Sequence, residues 1–235
     1  MDSLPPYTVI EDNEHFLLVN KAPGLICQGA DASHNLLNQL KKDFALSQLF
    51  PVHRLDAGTS GLLVFAKSTD VNQQLSKQFQ DRKVNKLYLA LSDKKPKKKQ
   101  GEIRGDMEKA RAGSWRLSKN QNNPAVTWFF SFGLGGGRRL FVLKPLTGKT
   151  HQLRVALKAM AAPILGDDRY GGTDADRLYL HAFELGFVVG EQEYVYREWP
   201  NTGELFVHPD FVDKVKSLNN FNGIPWPKKL DRAKA

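Results

Sequence analysis

The sequence predicts an α+β fold, a single mixed domain with a mainly antiparallel central sheet flanked by helices and loops. Short runs that alternate in hydrophobicity are interspersed with runs of helical spacing, and no regular strand–helix–strand rhythm connects them. Hydrophobic residues make up 41% of the 235, which is enough for a core. A chain of this length forms one large domain or two small ones. We expect one domain over residues 1–235, with a core at about 7–220 and a tail at 221–235.

Strands are predicted where apolar and polar residues alternate between turn-forming residues. The first two runs are separated by Asp12, Asn13 and Glu14, which favour a hairpin turn. A second hairpin is predicted around the glycine string at residues 133–137, which is not a phosphate-binding loop because no Gly-Lys-Ser or Gly-Lys-Thr follows it. The polar stretch at 92–123 is predicted to form short strands and loops. The predicted strands are residues 7–11, 16–20, 62–66, 86–91, 126–132, 139–143, 179–181 and 194–199.

Four helices are predicted from apolar residues that recur at helical spacing. Asp31 or Ser33 could cap the first helix, and Ser68 or Thr69 opens the second. The lysine-rich tail beyond Pro227 is predicted to fray. The predicted helices contain residues 36–44, 69–79, 151–160 and 209–218.

The composition excludes several classes of protein. Cys27 is the only cysteine, so the chain has no internal disulfide and no cysteine-rich zinc site. The six histidines share no helical face or paired spacing, so we expect no metal site. No apolar run approaches the roughly 20 residues of a membrane span, and residues 1–16 lack the charge order of a signal peptide. We therefore expect a reducing, cytoplasmic location.

The chain is basic, with 34 lysines and arginines against 25 acidic residues and a net charge of +9. Excess positive charge favours partners that carry phosphates, although many basic proteins bind no nucleic acid. Lysines are concentrated at residues 94–99 (KKPKKK), and Arg138 and Arg139 follow the glycine string. For the lysine run two interpretations are open: a solvated loop, or an arm that contacts an RNA backbone.

The most informative segment is residues 51–67, PVHRLDAGTSGLLVFAK. It places one carboxylate, Asp56, between a basic pair and a turn of small residues that leads directly into a buried strand. Gly58 and Gly61 let the backbone bend and allow a close approach of other main chain. An aspartate in this position either forms the turn or acts as a nucleophile on a rigid loop.

The string HRLDxxTSGLL, at residues 53–63, resembles the catalytic segment of the RluA-type pseudouridine synthases, which isomerise uridine to pseudouridine in RNA. The resemblance implies that Asp56 is the catalytic residue. It also implies one mixed α+β catalytic domain with the active-site cleft across its central sheet. The reaction involves no redox change and no external group, so we expect no cofactor. Because the catalytic pattern begins within the first twenty residues, we expect no RNA-binding domain in front of it.

Two further segments resemble the same family. In LTGKTHQLRVAL, at residues 146–157, the arginine after Gln-Leu is Arg154, which the resemblance pairs with the catalytic aspartate. The chain has Ala156 where the family often has a histidine. Tyr88, in the K-x-Y-x-A strand, matches the tyrosine on which the flipped uracil stacks. Without the resemblance, Arg154 reads as a surface arginine on a helix and Tyr88 as an alternating strand residue.

RNA is the implied partner, either tRNA or rRNA, and a compact stem-loop is favoured. Arg54 is the first candidate for a phosphate contact, while His53 and Thr59 could hold the RNA backbone or support the loop. Lys149 and His151 are weaker candidates. We expect a monomer that needs neither a membrane nor a protein partner. Segments expected to form the scaffold around the cleft are residues 167–171 and 180–182, and those expected to select the target are residues 92–123 and 133–139.

Other functions fit the sequence less well. A kinase catalytic loop also contains His-Arg and Asp, but here Leu55 separates Arg54 from Asp56 and no glycine-rich phosphate loop precedes them. A glycoside hydrolase needs a second carboxylate near the scissile bond, and Asp56 has no obvious acidic partner in a comparable loop. The remaining alternative is an inactive RNA-binding or ribosome-associated protein on the same scaffold. The presence of Asp56, Tyr88 and Arg154 disfavours it.

Overall fold

The structure, a computed structural model, describes residues 5–29, 35–221 and 223–226. It contains two compact units. The first unit consists of Met1–Leu89 and Ala175–Asn201, and the second of Ala90–Asp174 and Thr202–Ala235.

The elements are numbered in chain order. The strands are β1 (Tyr7–Asp12), β2 (Phe16–Lys21), β3 (Phe50–Pro51), β4 (Ser60–Ala66), β5 (Asn85–Ser92), β6 (Gln100–Gly105), β7 (Met107–Lys109), β8 (Trp115–Leu117), β9 (Ala125–Gly135), β10 (Arg138–Pro145), β11 (Leu180–Val189) and β12 (Gln192–Arg197). The α-helices are α1 (Leu36–Asp43), α2 (Thr69–Gln80), α3 (Gln152–Ala159) and α4 (Pro209–Ser217). Single 3-10 turns lie at Arg111–Gly113, Asp168–Tyr170 and Asn219–Phe221.

The first unit is built on the strand order β1-β2-β4-β11-β5, with β12 paired to β11 and the short β3 paired to β4. β2 pairs antiparallel with β1 and β4, whereas β4 and β11 are parallel. All residues of β2 and β4 are buried, because both faces of these strands are covered. Val64 packs in one cluster with Leu75 of α2, and Phe65 packs in another with Leu40 of α1. Neighbouring strand residues therefore serve two separate cores.

The parallel contact between β4 and β11 requires a glycine. Gly61 pairs with Ala182 of β11 and has a φ of +112°. A Cβ at this position would lie only 2.3 Å from the carbonyl oxygen of Ala182. Only glycine combines this backbone conformation with so close an approach. The close approach of other main chain that was expected at Gly61 is confirmed.

The second unit contains the antiparallel strand order β10-β9-β6 and a separate pairing of β7 with β8. The β9–β10 hairpin turns at Gly136 and Gly137, both of which have positive φ. Because β9 continues to Gly135, much of the glycine string lies in the strand and only its end forms the turn. α3 begins after the loop that follows β10, and α4 contacts β9.

The α+β class and the mainly antiparallel strand pairing are confirmed, and all predicted strands and helices are present within the described residues. The largest difference is β11, predicted at 179–181, which continues to Val189. Its residues are nearly all buried, so they lack the alternation that marks a strand with one exposed face. The single domain and the cleft across the sheet stay predictions.

The helix starts were predicted with mixed success. Ser68 caps α2, as expected, by accepting a hydrogen bond from the Val71 nitrogen at 3.3 Å. Asn35 caps α1 through the Asn38 nitrogen at 3.0 Å. The predicted caps Asp31 and Ser33 lie outside the described residues, as does the tail beyond Pro227.

Candidate active site

Asp56 lies on the loop between β3 and β4, and main-chain hydrogen bonds fix this loop on two sides. The Thr59 nitrogen donates to the Asp56 carbonyl oxygen at 3.0 Å, which closes a turn around Gly58. The Gly24 nitrogen donates to the Ala57 carbonyl at 2.8 Å. The carboxylate of Asp56 is therefore carried by a loop whose backbone is bonded both within itself and to the segment after β2.

Lys21 supports the same loop from below. Its side chain is completely buried, and its Nζ donates to the carbonyl oxygens of Ala22 at 2.8 Å, Leu25 at 2.9 Å and Ala57 at 3.0 Å. Burial lowers the pKa of Lys21 to about 8, while the nearby Cys27 and Asp56 oppose this shift. The three carbonyls match the three N–H donors of an ammonium group. Lys21 thus places a positive charge beneath the Asp56 loop.

Cys27 holds the residue next to Asp56. Its Sγ donates to the Leu55 carbonyl at 3.2 Å and accepts from the Leu55 nitrogen at 3.4 Å. The cysteine is 3% exposed, and burial raises the pKa of its thiol. The neutral thiol therefore satisfies both main-chain groups of Leu55, much as a neighbouring strand would.

Tyr88 lies on β5 and packs, half-buried, against the cluster that contains Leu17 and Phe65. Burial raises the pKa of the phenol well above its ordinary value, and the negative charge of Asp56 raises it further. Tyr88 is therefore close enough to Asp56 to feel its charge, and it keeps its hydroxyl proton. The structure brings together these two predicted site residues.

A buried chain of hydrogen bonds connects the start of β4, just after the Asp56 loop, to β11. The Arg177 guanidinium donates to Ser60 Oγ at 2.5 Å, and Ser60 Oγ bonds to His181 Nδ1 at 2.8 Å. His181 Nε2 lies 2.8 Å from the Glu198 carbonyl, so this nitrogen carries the proton. Burial lowers the pKa of His181 to about 3, which keeps the ring neutral. Residues 180–182 are thus scaffold of the first unit.

The predicted RNA-contacting residues of the first unit differ in exposure. Arg54 is exposed. Thr59 is only 2% exposed, which fits the role of supporting the loop. His53 accepts a hydrogen bond from the Val64 nitrogen at 3.2 Å and stacks on Phe79 with ring centroids 4.6 Å apart. Burial lowers the pKa of His53 to about 3, so it too is neutral. Contacts of these residues with RNA stay predictions.

Arg154 lies in the first half of α3 and forms a buried ion pair in the second unit. Its Nε donates to Asp167 Oδ2 at 2.8 Å, and one terminal nitrogen donates to Asp167 Oδ1 at 2.7 Å. Asp167 is completely buried, and Arg154 is 8% exposed. The guanidinium also lies over the Tyr170 ring, 5.0 Å from its centroid. Arg154 is therefore a buried, oriented cation, not a surface arginine of a helix.

Gln152 organises the loop that leads into α3. Its amide nitrogen donates to the Val126 carbonyl at 3.0 Å, and its amide oxygen accepts from Thr147 Oγ1 at 2.6 Å and the Lys149 nitrogen at 3.0 Å. His151 adopts a left-handed conformation, and its Nδ1 lies 2.8 Å from the Tyr170 hydroxyl. Lys149 Nζ donates to Asn123 Oδ1 at 2.9 Å.

Sequence reasoning did not identify several residues that hold the site. Lys21 lies just beyond the strand predicted at residues 16–20, and its signal is a lysine at the end of a mainly apolar strand. Arg177 precedes β11 and carries no local pattern. Asp167 was assigned to the scaffold, but nothing in the sequence pairs it with Arg154.

Within the described residues, no cluster of histidine, cysteine or carboxylate side chains could hold a metal ion. No helix in the same part of the chain is both long and apolar enough to cross a bilayer.

Comparison with known proteins identifies close relatives. The sequence model of the RNA pseudouridylate synthase family matches residues 15–159. A protein of Haemophilus influenzae described as an uncharacterized RNA pseudouridine synthase is 40% identical over 210 residues, which cover 88% of this chain and 94% of that protein. The dual-specificity RNA pseudouridine synthase RluA of Vibrio parahaemolyticus is 30% identical over 247 residues, which cover 94% of this chain and 96% of that protein.

Two further comparisons concern length and fold. The ribosomal large subunit pseudouridine synthase D of Borreliella burgdorferi is 32% identical over 206 residues, and the match spans only 63% of that protein. The structure of human RNA pseudouridylate synthase domain containing 1 superposes with a TM-score of 0.72 over 97% of this chain and 100% of that one. At 24% identity, this match establishes the fold.

Proposed function

We propose, because this chain belongs to the RNA pseudouridylate synthase family, that it isomerises uridine to pseudouridine in RNA with Asp56 as the catalytic carboxylate. The isomerisation breaks the N-glycosidic bond, turns the uracil and joins its C5 to the sugar carbon. The hydrogen on C5 leaves as a proton. A carboxylate can serve as nucleophile or base beside an oxocarbenium-like sugar. Asp56 is the carboxylate on which the catalytic signature of the family falls.

The observation that carries the proposal is the way the Asp56 loop is held. Its main chain is bonded at Asp56, Ala57 and Leu55, and a buried lysine lies beneath it. A group fixed in this manner needs little reorganisation when it reacts. A turn-forming aspartate alone would not call for a buried cation below the turn, because burying a charge is costly.

Tyr88 has the properties that the proposed reaction requires of a partner. Its ring offers a flat surface on which the extruded uracil can stack, worth roughly 1–3 kcal/mol. Its raised pKa keeps the hydroxyl protonated, so the group can donate a hydrogen bond and does not add a second negative charge near Asp56. Tyr88 is therefore proposed to act together with Asp56.

Arg154 is part of the proposal through the family resemblance, which pairs it with the catalytic aspartate. Its two hydrogen bonds to Asp167 have the bidentate geometry in which arginine holds carboxylates. Asp167 and the Tyr170 ring hold the guanidinium in a fixed orientation. A preoriented cation of this kind suits a role in positioning a catalytic carboxylate.

For the substrate we propose tRNA or rRNA, with a stem-loop as the recognised element, and a monomer in the cytoplasm as the working form. One relative is named for the large ribosomal subunit and another for dual specificity. His53, Arg54, Thr59, Lys149 and His151 remain candidates for contacts with this RNA. The inactive RNA-binding alternative gains no support from the relatives, which are named as synthases.

The deciding experiment measures tritium release from RNA labelled with [5-³H]uridine and isolated from a host that lacks this gene. The wild-type protein should release tritium because the C5 hydrogen is expelled. Asp56→Asn should lower the rate at least about a thousandfold, while RNA affinity and the unfolding curve stay unchanged. Asp70→Asn, an exposed carboxylate on α2, is the matched control and should remain active. Wild-type activity in the Asp56→Asn protein would refute the catalytic role.

A further inference from the structure

The net positive charge of the chain is confined to one unit. The first unit carries 11 lysines and arginines against 14 aspartates and glutamates, whereas the second carries 23 against 11. The first unit is thus slightly negative, although it contains the Asp56 loop. A polyanionic partner would gain electrostatic energy mainly from the second unit.

The lysine run at residues 94–99 is the densest basic segment of the second unit, and it is held in place. The Lys97 nitrogen donates to the Met160 carbonyl at 3.1 Å, just past the end of α3. The Ser131 nitrogen of β9 donates to the Lys99 carbonyl at 2.7 Å. Pro96, in the middle of the run, is buried. The run is therefore neither a frayed arm nor a freely solvated loop.

The same helix end adds one more cation. Lys158, in the last turn of α3, is exposed, and Lys97 Nζ reaches the carbonyl of the neighbouring Ala159 at 3.5 Å. We call the surface formed by this helix end and by the exposed lysines of the run that follow Lys94 the lysine ledge. The residues of the lysine ledge are Lys95, Lys97, Lys98, Lys99 and Lys158.

The lysine ledge carries positive charge that acidic side chains do not neutralise. Lys94, just before it, pairs with Asp93 at 3.4 Å. Among the residues that the structure describes, no carboxylate lies within 4.0 Å of the five ledge ammonium groups. Fixing five cations close together raises their mutual repulsion, which weakens the folded state.

A structural role accounts for only part of this arrangement. The C-terminal end of a helix attracts lysines because its last carbonyls are unpaired and carry partial negative charge. This explains Lys97 and Lys158, which lie at the end of α3. It does not explain Lys95, Lys98 and Lys99, whose side-chain ammonium groups have no hydrogen-bonded or ion-pair partner within the described part of the chain.

We propose that the lysine ledge binds the phosphate backbone of the RNA substrate. The inference rests on the proposed function, and it assigns the RNA-contacting role to a named surface of the second unit. Ammonium groups suit this role because they neutralise phosphates without reading the sequence, and bound counterions are released. The run is already fixed by Met160 and Ser131, so little backbone entropy is lost on binding.

The test compares two triple variants that change the net charge equally. Lys95→Gln/Lys98→Gln/Lys99→Gln removes three ledge charges but leaves Lys97 to hold the loop against α3. Lys42→Gln/Lys77→Gln/Lys83→Gln removes three exposed charges from the first unit. Affinity for ³²P-labelled RNA from the host that lacks this gene is measured by filter binding. About ten salt concentrations are used, from roughly 50 to 500 mM.

The ledge variant should bind tens of times more weakly at physiological salt, and its plot of log affinity against log salt should be shallower by about 2. Its KM for tritium release should rise in parallel, while kcat at saturating RNA stays at the wild-type value. The control variant should keep the wild-type slope within experimental error. Lys95→Arg/Lys98→Arg/Lys99→Arg should restore binding, since it keeps the charges.

Three outcomes would overturn the inference while leaving the isomerase intact. In the first, the ledge variant keeps the wild-type RNA affinity and the wild-type salt dependence. In the second, the ledge and control variants lose RNA affinity equally. In the third, the arginine variant fails to restore RNA binding. Equal weakening would make the effect one of net charge alone. Unchanged RNA binding together with lost adsorption to anionic vesicles would assign the ledge to a membrane surface. Absence of tritium release from wild-type protein would instead refute the proposed function.

Discussion

Two buried cations of the protein, Lys21 in the first unit and Arg154 in the second, are held in different ways. Three main-chain carbonyl oxygens accept hydrogen bonds from Lys21 Nζ and stabilise its charge without cancelling it. In the second unit, the buried Arg154 is matched by the buried carboxylate of Asp167. The first arrangement depends on backbone conformation and the second on a partner side chain. Substitution of Lys21 should therefore disturb loop geometry, whereas substitution of Arg154 should leave an unpaired charge on Asp167.

The largest expected loss of stability is that of Arg154→Met. The substitution leaves the Asp167 carboxylate completely buried without its cation, so the free energy of unfolding should fall by about 3–5 kcal/mol. Urea denaturation measures the change. Arg116→Met, which breaks a surface pair with Glu108, should cost at most about 1 kcal/mol. Equal losses in the two variants would mean that burial does not make the Arg154–Asp167 pair matter more than a surface pair.

Gly61→Ala should be the most damaging glycine substitution of the first unit. A methyl group there meets the Ala182 main chain at 2.3 Å, so we expect a loss of about 2–4 kcal/mol and reduced tritium release as the Asp56 loop shifts. Gly137→Ala shares a positive φ but meets no atom within 4 Å, and should cost only about 1–2 kcal/mol. If the two variants unfold at the same urea concentration, the close approach is not what requires glycine.

Substitutions of Cys27 test whether its hydrogen bonds to Leu55 keep the Asp56 loop in place. Cys27→Val leaves both main-chain groups of Leu55 without their partner, which should cost about 1–3 kcal/mol and lower kcat more than it raises KM. Cys27→Ser keeps a donor and an acceptor and should retain most of the wild-type kcat. A serine variant as slow as the valine variant would show that packing, not hydrogen bonding, is what Cys27 supplies.

The smallest effect concerns pH. The folded-state pKa of His181 is about 3 against 6.5 when unfolded, so the unfolded chain binds more protons between these values. Stability should therefore fall as pH falls from 6.5 towards 3, by at most about 1.4 kcal/mol per pH unit from this residue. His181→Gln should reduce this slope, measured by urea denaturation at pH 7, 6 and 5, and His53 should account for a further part of it in the same direction. An unchanged slope in the His181→Gln protein would contradict this prediction.

The sequence was most informative where function and local structure coincide. The string around Asp56 predicted the loop, the buried strand after it and the family, because small residues, a carboxylate and an apolar run are all local features. Ser68 and the helix that it caps were predicted for the same reason. The extent of β11 was not, because a strand buried on both faces has no alternation to detect.

By itself, the sequence determined the α+β class, the order of the elements, the family and the candidates Asp56, Tyr88 and Arg154. Only the tertiary structure decided which partners hold these residues. Lys21 and Ala57 are 36 positions apart and Ser60 and His181 are 121 apart, and no local pattern records such contacts. The tertiary structure likewise decided where the lysine ledge lies. The chain order shows a run of lysines, and only folding fixes Lys97 at the end of α3 and Lys99 beside β9.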